Sequence, residues 1–228
     1  MEQVILGRTN RRVYPRWVLG ALRGSGSAEE QAEALLQSLL NTPVEVIDIT
    51  PAVGLWGHLL RKYSPALQTA VICPAHLISM AGDARIASVF LQSHIIEMLC
   101  AIGREHIDYY FLSLDQPIGE AQLSGALEAL EIARQEGQIR ATGIACYGDP
   151  LRTLALWRTH DAFEVALIPD EPPLLQALLP EARHRRVGVV LRSEQPLPIE
   201  QTERLQQRLH ETGTDVVLAP IEPREPTP

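Results

Sequence analysis

Asp48 is the residue of this chain best placed to do chemistry. It stands among Val46, Ile47 and Ile49 and is followed by the turn Thr50-Pro51-Ala52-Val53-Gly54. Apolar and β-branched neighbours predict a buried parallel strand, which delivers the carboxylate to a sheet end where a loop opens. A carboxyl held among apolar residues can acquire the raised pKa that a general base needs; otherwise such an Asp caps the next helix. Ser113 and Asp115 end another apolar run. Asp115 would form a carboxylate pair with Asp48, or simply turn the chain before Gln116-Pro117. Cys146-Tyr147 ends a third run. A thiol nucleophile there would need a base, with His76 the candidate, whereas a small apolar Cys at a packed strand end needs none. Asp170-Glu171 would hold a cation or an amine, or sit at a helix start. Arg192 would receive a carboxylate or phosphate, or pair with Glu194 or Asp170.

These residues need elements to hold them. Gly7-Arg8-Thr9-Asn10 between Gln3–Leu6 and Arg12–Tyr14 signals a hairpin. Strands are then expected over 17–21, 44–50, 66–74, 107–114, 139–146, 163–168, 187–192 and 215–219. Helical periodicity fills the gaps, over 28–40, 54–63, 84–102, 123–135, 150–159, 174–184 and 199–210. Eight such repeats without a composition break predict an α/β fold, a closed (β/α)8 TIM barrel formed by residues 1–221 as a single domain. At 228 residues the chain is short of the typical length of about 250. The deficit is expected in a compressed connection after the seventh strand and in a missing final helix. Residues 222–228, rich in Pro and Glu, are expected to form a disordered tail.

Composition narrows the roles. The chain is 46% hydrophobic and 21% charged, with a formal charge of -8 and a pI of ≈ 5.4. The acidic balance argues against a nucleic-acid surface. No apolar run looks long enough to cross a membrane, and Met1-Glu2-Gln3 opens no secretory signal. Cys73, Cys100 and Cys146 form no CxxC and leave one unpaired, so a reduced, cytoplasmic setting is expected. His58, His94, His106, His160, His184 and His210 are scattered and predict no metal site.

Several stretches together resemble the aldo-keto reductase family. Leu6-Gly7-Arg8-Thr9 with Val13 is similar to its opening hairpin, and Ile47 to Gly54 resembles its I-D-T-A-x-x-Y-G stretch. Leu99–Leu112 (LCAIGREHIDYYFL) resembles S-L-x-x-L-x-x-D-x-I-D-L-Y-x-L-H. Ala126–Ala145 (ALEALEIARQEGQIRATGIA) resembles E-A-L-E-x-L-x-x-x-G-K-I-R-x-I-G-V-S-N, and Val187–Pro196 is similar to the G-V-x-V-x-A-R-S-P-L segment. The resemblance implies NADPH-dependent carbonyl reduction by an Asp, a Tyr, a Lys and a His. The Tyr donates a proton, the Lys held by the Asp lowers the Tyr pKa, and the His orients substrate.

Carried across, the resemblance keeps Asp48, but the Tyr position falls on Val53, the Lys on Pro74 and the His on Ser113. The Ser-Asn pair that holds the nicotinamide falls on Ala145-Cys146, and the Gln falls near Ala166–Leu167. Arg192-Ser193 are what remains on the cofactor side. The resemblance therefore implies a barrel without its proton donor and tuning cation, and no NADPH cofactor is expected. The primary expectation is a non-redox binding, regulatory or accessory protein, with an unknown small molecule or a protein partner. A homodimer is also expected, through apolar surface left uncovered outside the first and last strands. One alternative is a cofactor-free isomerase, dehydratase, cyclase or lyase using Asp48, with Ser113, Asp115, Cys146, Tyr147 or Arg192 assisting. A second is a weakly active NADPH reductase with Tyr147 or Tyr110 as substitute acid.

Overall fold

The computed structural model describes residues 2–22, 25–40, 42–63, 66–198 and 201–221. Strands β1 (Val4–Ile5) and β2 (Arg12–Val13) pair antiparallel as the expected hairpin. Eight further strands are parallel and close on themselves: β3 (Arg16–Leu19), β4 (Val46–Asp48), β5 (Gln68–Cys73), β6 (Ile107–Ser113), β7 (Ile139–Ala145), β8 (Val165–Pro169), β9 (Gly188–Arg192) and β10 (Val216–Ala219). Their helices are α1 (Ala28–Leu39), α2 (Val53–Tyr63), α3 (Ala75–Ser79), α4 (Ala84–Ile102), α5 (Glu120–Gln135), α6 (Pro150–Thr159), α7 (Pro172–His184) and α8 (Thr202–Thr212). This is the (β/α)8 TIM barrel expected from the alternation.

Strand parity divides the core in two. Trp17, Leu19, Val46, Ala70, Ile72, Tyr109, Phe111, Ala141, Val165, Leu167, Val190, Val216 and Leu218 fill the barrel, and Leu6 and Val13 of the hairpin pack with them at its base. Outward-facing residues such as Val18, Ile47, Val71, Tyr110, Leu112 and Ile144 meet the helices. Each large apolar side chain so buried contributes about 1.5–3 kcal/mol. At Gly143 an added Cβ would lie 2.3 Å from the Phe111 ring, so the interior has no room for a side chain there. The helices start on local signals. Ser27 and Glu30 form a capping box on α1, Asp83 caps α4, and Asp149 with Pro150 opens α6. Pro172 and Pro173, expected to precede α7, lie in its first turn, where an absent N–H costs nothing.

The connection after β9 carries the eleven-residue α8, the helix expected over 199–210. Two expectations need correction. The wall outside β3 and β10 is not uncovered. Val217 and Ala219 are buried with Leu191, Leu197 and Leu205, while Val18 is buried in the layer between strands and helices. Arg16, 3% exposed, points outward and donates from Nη1 to the carbonyls of Leu197 (3.3 Å) and Pro198 (2.9 Å), fixing that segment over the barrel wall. The surface on which homodimer formation was argued is therefore filled by the chain itself. Finally, α4 is long and apolar enough to cross a membrane, with mean hydropathy 1.4 over 18 residues. It is nonetheless an outer helix of the barrel, packed against α2 and α5 and tied at both ends to the adjacent strands β5 and β6. The stretch 222–228 lies outside the described residues.

Candidate functional site

The C-terminal ends of the strands converge on one mouth, where barrel active sites are built. Asp48 is the last residue of β4, Ser113 of β6 and Arg192 of β9. Pro74 follows β5, and Tyr147 lies two residues beyond β7. Alternation turns Asp48, Ser113 and Arg192 to the inside in the layer above Val46, Phe111 and Val190. A cavity of ≈ 420 Å³ is lined by Asp48, Thr50, Pro51, Val53, Val71, Ile72, Pro74, His94, Met98, Ser113, Asp115, Tyr147 and Arg192. Tyr147 and Arg192 also line a neighbouring cavity of ≈ 540 Å³ with Asp170, Glu171, Ser193 and Glu194. That cavity shares Asp170, Ser193 and Gln195 with a third of ≈ 310 Å³ reaching Arg204, Arg208 and Glu211 on α8. A continuous groove thus runs from the mouth across the ends of β8 and β9.

Asp48 is buried, and its two oxygens differ. Oδ1 accepts from the Thr50 N–H at 2.9 Å and from Thr50 Oγ1 at 2.6 Å. Thr50 Oγ1 in turn accepts from the N–H of Ile72 at 2.9 Å, tying the loop to β5. Oδ2 is shielded from solvent and has no hydrogen-bond partner among the described residues. Burial pushes the carboxyl above its ordinary range, against the Thr50 hydrogen bonds and the charge of Arg192. Gly20 holds the strand end: its N–H donates to the Asp48 carbonyl (2.8 Å), and its own carbonyl accepts from Trp56 Nε1 (2.8 Å). A Cβ at Gly20 would meet the Asp48 carbonyl at 2.6 Å, so no larger residue fits without moving the strand end.

Arg192 is half-buried. Its Nη1 donates to Tyr147 Oη at 2.5 Å and its Nε to Glu194 Oε1 at 3.2 Å. Of the two partners considered for it, Glu194 is the one it takes. Asp170 is bound instead by the Arg208 guanidinium, through both carboxylate oxygens. Burial pushes the Tyr147 phenol up to about 12, against the pull of Arg192. The phenol therefore stays protonated at neutral pH.

Other candidates fall into place. Ser113 Oγ donates to Asp115 Oδ1 at 3.2 Å, and the Asp115 N–H donates back to Ser113 Oγ at 3.4 Å. Asp115 is exposed and closes a local turn. Cys146 belongs to the layer of Ile144 and Leu112, buried under the helices, with Sγ 3.9 Å from the Ile144 carbonyl and its thiol pushed well up by burial. It does not line the mouth cavity, and His76 is on the exposed face of α3, so the proposed thiol–base pair does not form. Ser193 is buried and bonds Gln195 within its own loop. Among the described residues no cluster of His, Cys, Asp and Glu is arranged to hold a metal ion.

One contributor went unread in the sequence. His94 of α4 lines the mouth and is hydrogen-bonded through Nδ1 to Tyr110 Oη at 2.7 Å. Burial lowers its pKa, so it stays neutral near pH 7. Its signal was faint: a single His on the half-buried side of an otherwise apolar helix.

No protein-family model matches the sequence, and no curated protein matches it. Solved structures do. The holo form of aldo-keto reductase AKR11C1 from Bacillus halodurans superposes with a TM-score of 0.71 at 18% identity, over 96% of this chain and 86% of that one. A thermostable aldo-keto reductase, Tm1743, in complex with the inhibitor epalrestat gives 0.68 at 17%, over 98% and 90%. The glycerol dehydrogenase AKR11B4 from Gluconobacter oxydans gives 0.65 at 14%, over 84% and 63%. The fold of this chain is the aldo-keto reductase barrel.

Proposed function

We propose that this protein is a divergent, cytoplasmic relative of the aldo-keto reductases that no longer reduces carbonyls with NADPH and serves instead as a non-redox binding, regulatory or accessory protein. One observation carries the reading. The cavity has Val53 and Pro74 where the reaction calls for a phenol and an ammonium, and the whole sequence holds a single lysine, Lys62. Lys62 is nine residues along α2 from Val53, about 13 Å down the helix axis at 1.5 Å per residue. It is exposed, over the ring of Tyr63 and 4.0 Å from Glu33. General acid catalysis is worth about 10²–10⁴-fold, and here both the acid and the cation that tunes it are gone from their place.

The groove fits a dinucleotide poorly. Along its two outer cavities Asp170, Glu171, Glu194 and Glu211 outnumber Arg192, Arg204 and Arg208. Arg192 is engaged by Tyr147 and Glu194, and Arg208 by Asp170 and Glu211. A pyrophosphate would meet two cations already paired with carboxylates, leaving Arg204, bonded to Gln201, to face Glu171 and the rest of the acidic lining. Ala145 and Cys146 offer no amide or hydroxyl to a nicotinamide. Cys73, Cys100 and Cys146 are all free thiols, in keeping with a reducing compartment.

Titration with NADPH, followed by nicotinamide fluorescence, together with NADPH oxidation over a panel of aldehydes and ketones, tests the proposal. No saturable binding at micromolar concentration and no oxidation above buffer are expected. Micromolar binding with turnover would overturn it. Native mass spectrometry of protein purified from its own host should then show the small molecule or protein partner it carries.

A further inference from the structure

We propose that the barrel mouth is a proton-transfer site for a small, largely apolar carbonyl compound bearing a removable α-hydrogen, with Asp48 taking the proton and Tyr147, held by Arg192, giving one to the carbonyl oxygen. The proposal rests on the reading that no nicotinamide hydride is used, and it adds to that reading a substrate class and a reaction.

Three features converge on it. The first is Asp48 itself, a buried carboxyl on the mouth cavity with one oxygen saturated by Thr50 and the other without a partner. Oδ2 is thus the oxygen left to accept a proton, from a ligand seated deep enough in the cavity to meet it. The second is the polarity of the Tyr147–Arg192 bond. The phenol oxygen accepts from the guanidinium at 2.5 Å, which leaves its own hydrogen for a third group. Arg192 is permanently charged and cannot surrender a proton, so it fixes the phenol and stabilises the phenolate that forms when Tyr147 donates. The third is the lining the two groups share. Both groups line the same ≈ 420 Å³ cavity, whose other walls include Pro51, Val53, Ile72, Pro74 and Met98. Such walls suit an apolar body, with Ser113 and Asp115 at the polar rim. Carboxyl base, phenol donor and fixed cation come from the ends of three different strands.

The step balances without a co-reactant. The Asp48 carboxylate takes the α-hydrogen as a proton. The C–H electron pair becomes the new C=C bond, and the carbonyl π pair moves to oxygen, which takes the Tyr147 proton. The resulting enol is neutral, Asp48 is protonated, and the phenolate is held by Arg192. Return of the protons to the original carbon gives exchange, and to a conjugated carbon gives isomerisation.

The test is hydrogen–deuterium exchange into cyclohexanone in D2O, followed by proton NMR, with the purified full chain. Exchange well above that with heat-unfolded protein is expected. About a hundredfold loss or more is expected in Asp48→Asn and in Tyr147→Phe, the range in which acid–base catalysis works. Circular dichroism confirms that each variant is folded, and Tyr147→Phe keeps the proposal testable should Asp48→Asn not fold. Arg192 acts through Tyr147 as a positioning residue, so Arg192→Lys should retain more exchange per folded molecule than Arg192→Met. Exchange at the buffer rate with the wild-type chain, or exchange undiminished in both Asp48→Asn and Tyr147→Phe, overturns the proposal. NADPH titration of the same samples separates the two readings. Absent exchange without NADPH binding sinks this inference alone, while NADPH oxidation coupled to ketone loss removes the reading beneath it.

Discussion

Asp48 has a buried oxygen without a partner, and Pro74 lines the same cavity one strand away. Placing a cation at position 74 should therefore stabilise the fold. A charge-assisted hydrogen bond contributes about 1.5–3 kcal/mol. Position 74 is half-buried on an open cavity, so the introduced ammonium is only partly desolvated. Against this, removing a proline frees the unfolded chain at a cost of about 0.4–1 kcal/mol. The Pro74 carbonyl, which accepts from the Leu77 N–H at 3.1 Å, is unaffected. The net gain for Pro74→Lys is about 1–2 kcal/mol. For a chain of 228 residues this raises Tm by about 2–8 °C at roughly 2–4 °C per kcal/mol. Pro74→Met is the control, with the same loss of rigidity and no charge. Calorimetry of both variants, each also in an Asp48→Asn background, completes a double-mutant cycle. Pro74→Lys no more stable than Pro74→Met, or an advantage that survives Asp48→Asn, would refute the assignment of Asp48 as an unpaired buried acid.

Two further predictions follow from the same geometry. Burial raises the Asp48 pKa in the folded chain above its unfolded value, so the folded state binds more protons and stability falls as pH rises from the ordinary carboxylate range to the folded value. Asp48→Asn removes that loss, so urea denaturation should show its advantage over the wild type above this window and none in acid below it. An advantage that grows on acidification would contradict the assignment. Native protein should also react with a thiol reagent at one site per chain, the exposed Cys100, and at three in denaturant. Cys73 and Cys146 are buried, with the Cys73 thiol pushed up to about 12 and that of Cys146 higher still. Fast modification of two or three thiols under native conditions would mean a looser strand-end layer.

Much of the fold was legible because its signals are local. Val46–Asp48 and Ile107–Ser113 announce themselves as largely apolar runs between polar breaks, and helical periodicity over 84–102 and 123–135 fills the gaps between strands. Asp48 could be placed at a strand end for the same reason. What stayed hidden depends on pairs far apart in the chain. Tyr147 and Arg192 are 45 residues apart and meet only when the barrel closes. Arg208 claims Asp170 across 38 residues, which no local pattern distinguishes from a pairing with Arg192. That Leu197 and the stem of Arg16 fill the wall outside β10 needs the folded path of residues 193–198, which no local pattern gives. Cys146 is a different case. Counting alternation from Ala141 along β7 puts it on the outer face, so parity alone could have removed it from the mouth.

The decision between a relic and a working site turns on what Asp48 costs. A carboxyl with one buried oxygen unpaired carries a penalty of about 1–3 kcal/mol, against a total fold stability of about 5–15 kcal/mol. A structural remnant has no reason to keep such a group when Asn or Leu could fill the space, and residues that weaken the fold concentrate where function needs them. Arg192 sharpens the point. A surface cation would reach solvent, yet this one is held beside a phenol inside the mouth, its charge felt by Asp48 and its geometry fixed by Tyr147 and Glu194. Arginine cannot give up its proton at any accessible pH, so it cannot replace a titrating lysine; it can only orient the phenol and steady its anion. Asp48 and Tyr147 are the acid–base pair proposed at this mouth, beside the hydroxyls of Thr50 and Ser113, which are spent on Asp48 and Asp115, and neutral His94 bonded to Tyr110. If Asp48→Asn both stabilises the chain and abolishes exchange, stability and activity will have been traded at one carboxyl, and a relic is excluded.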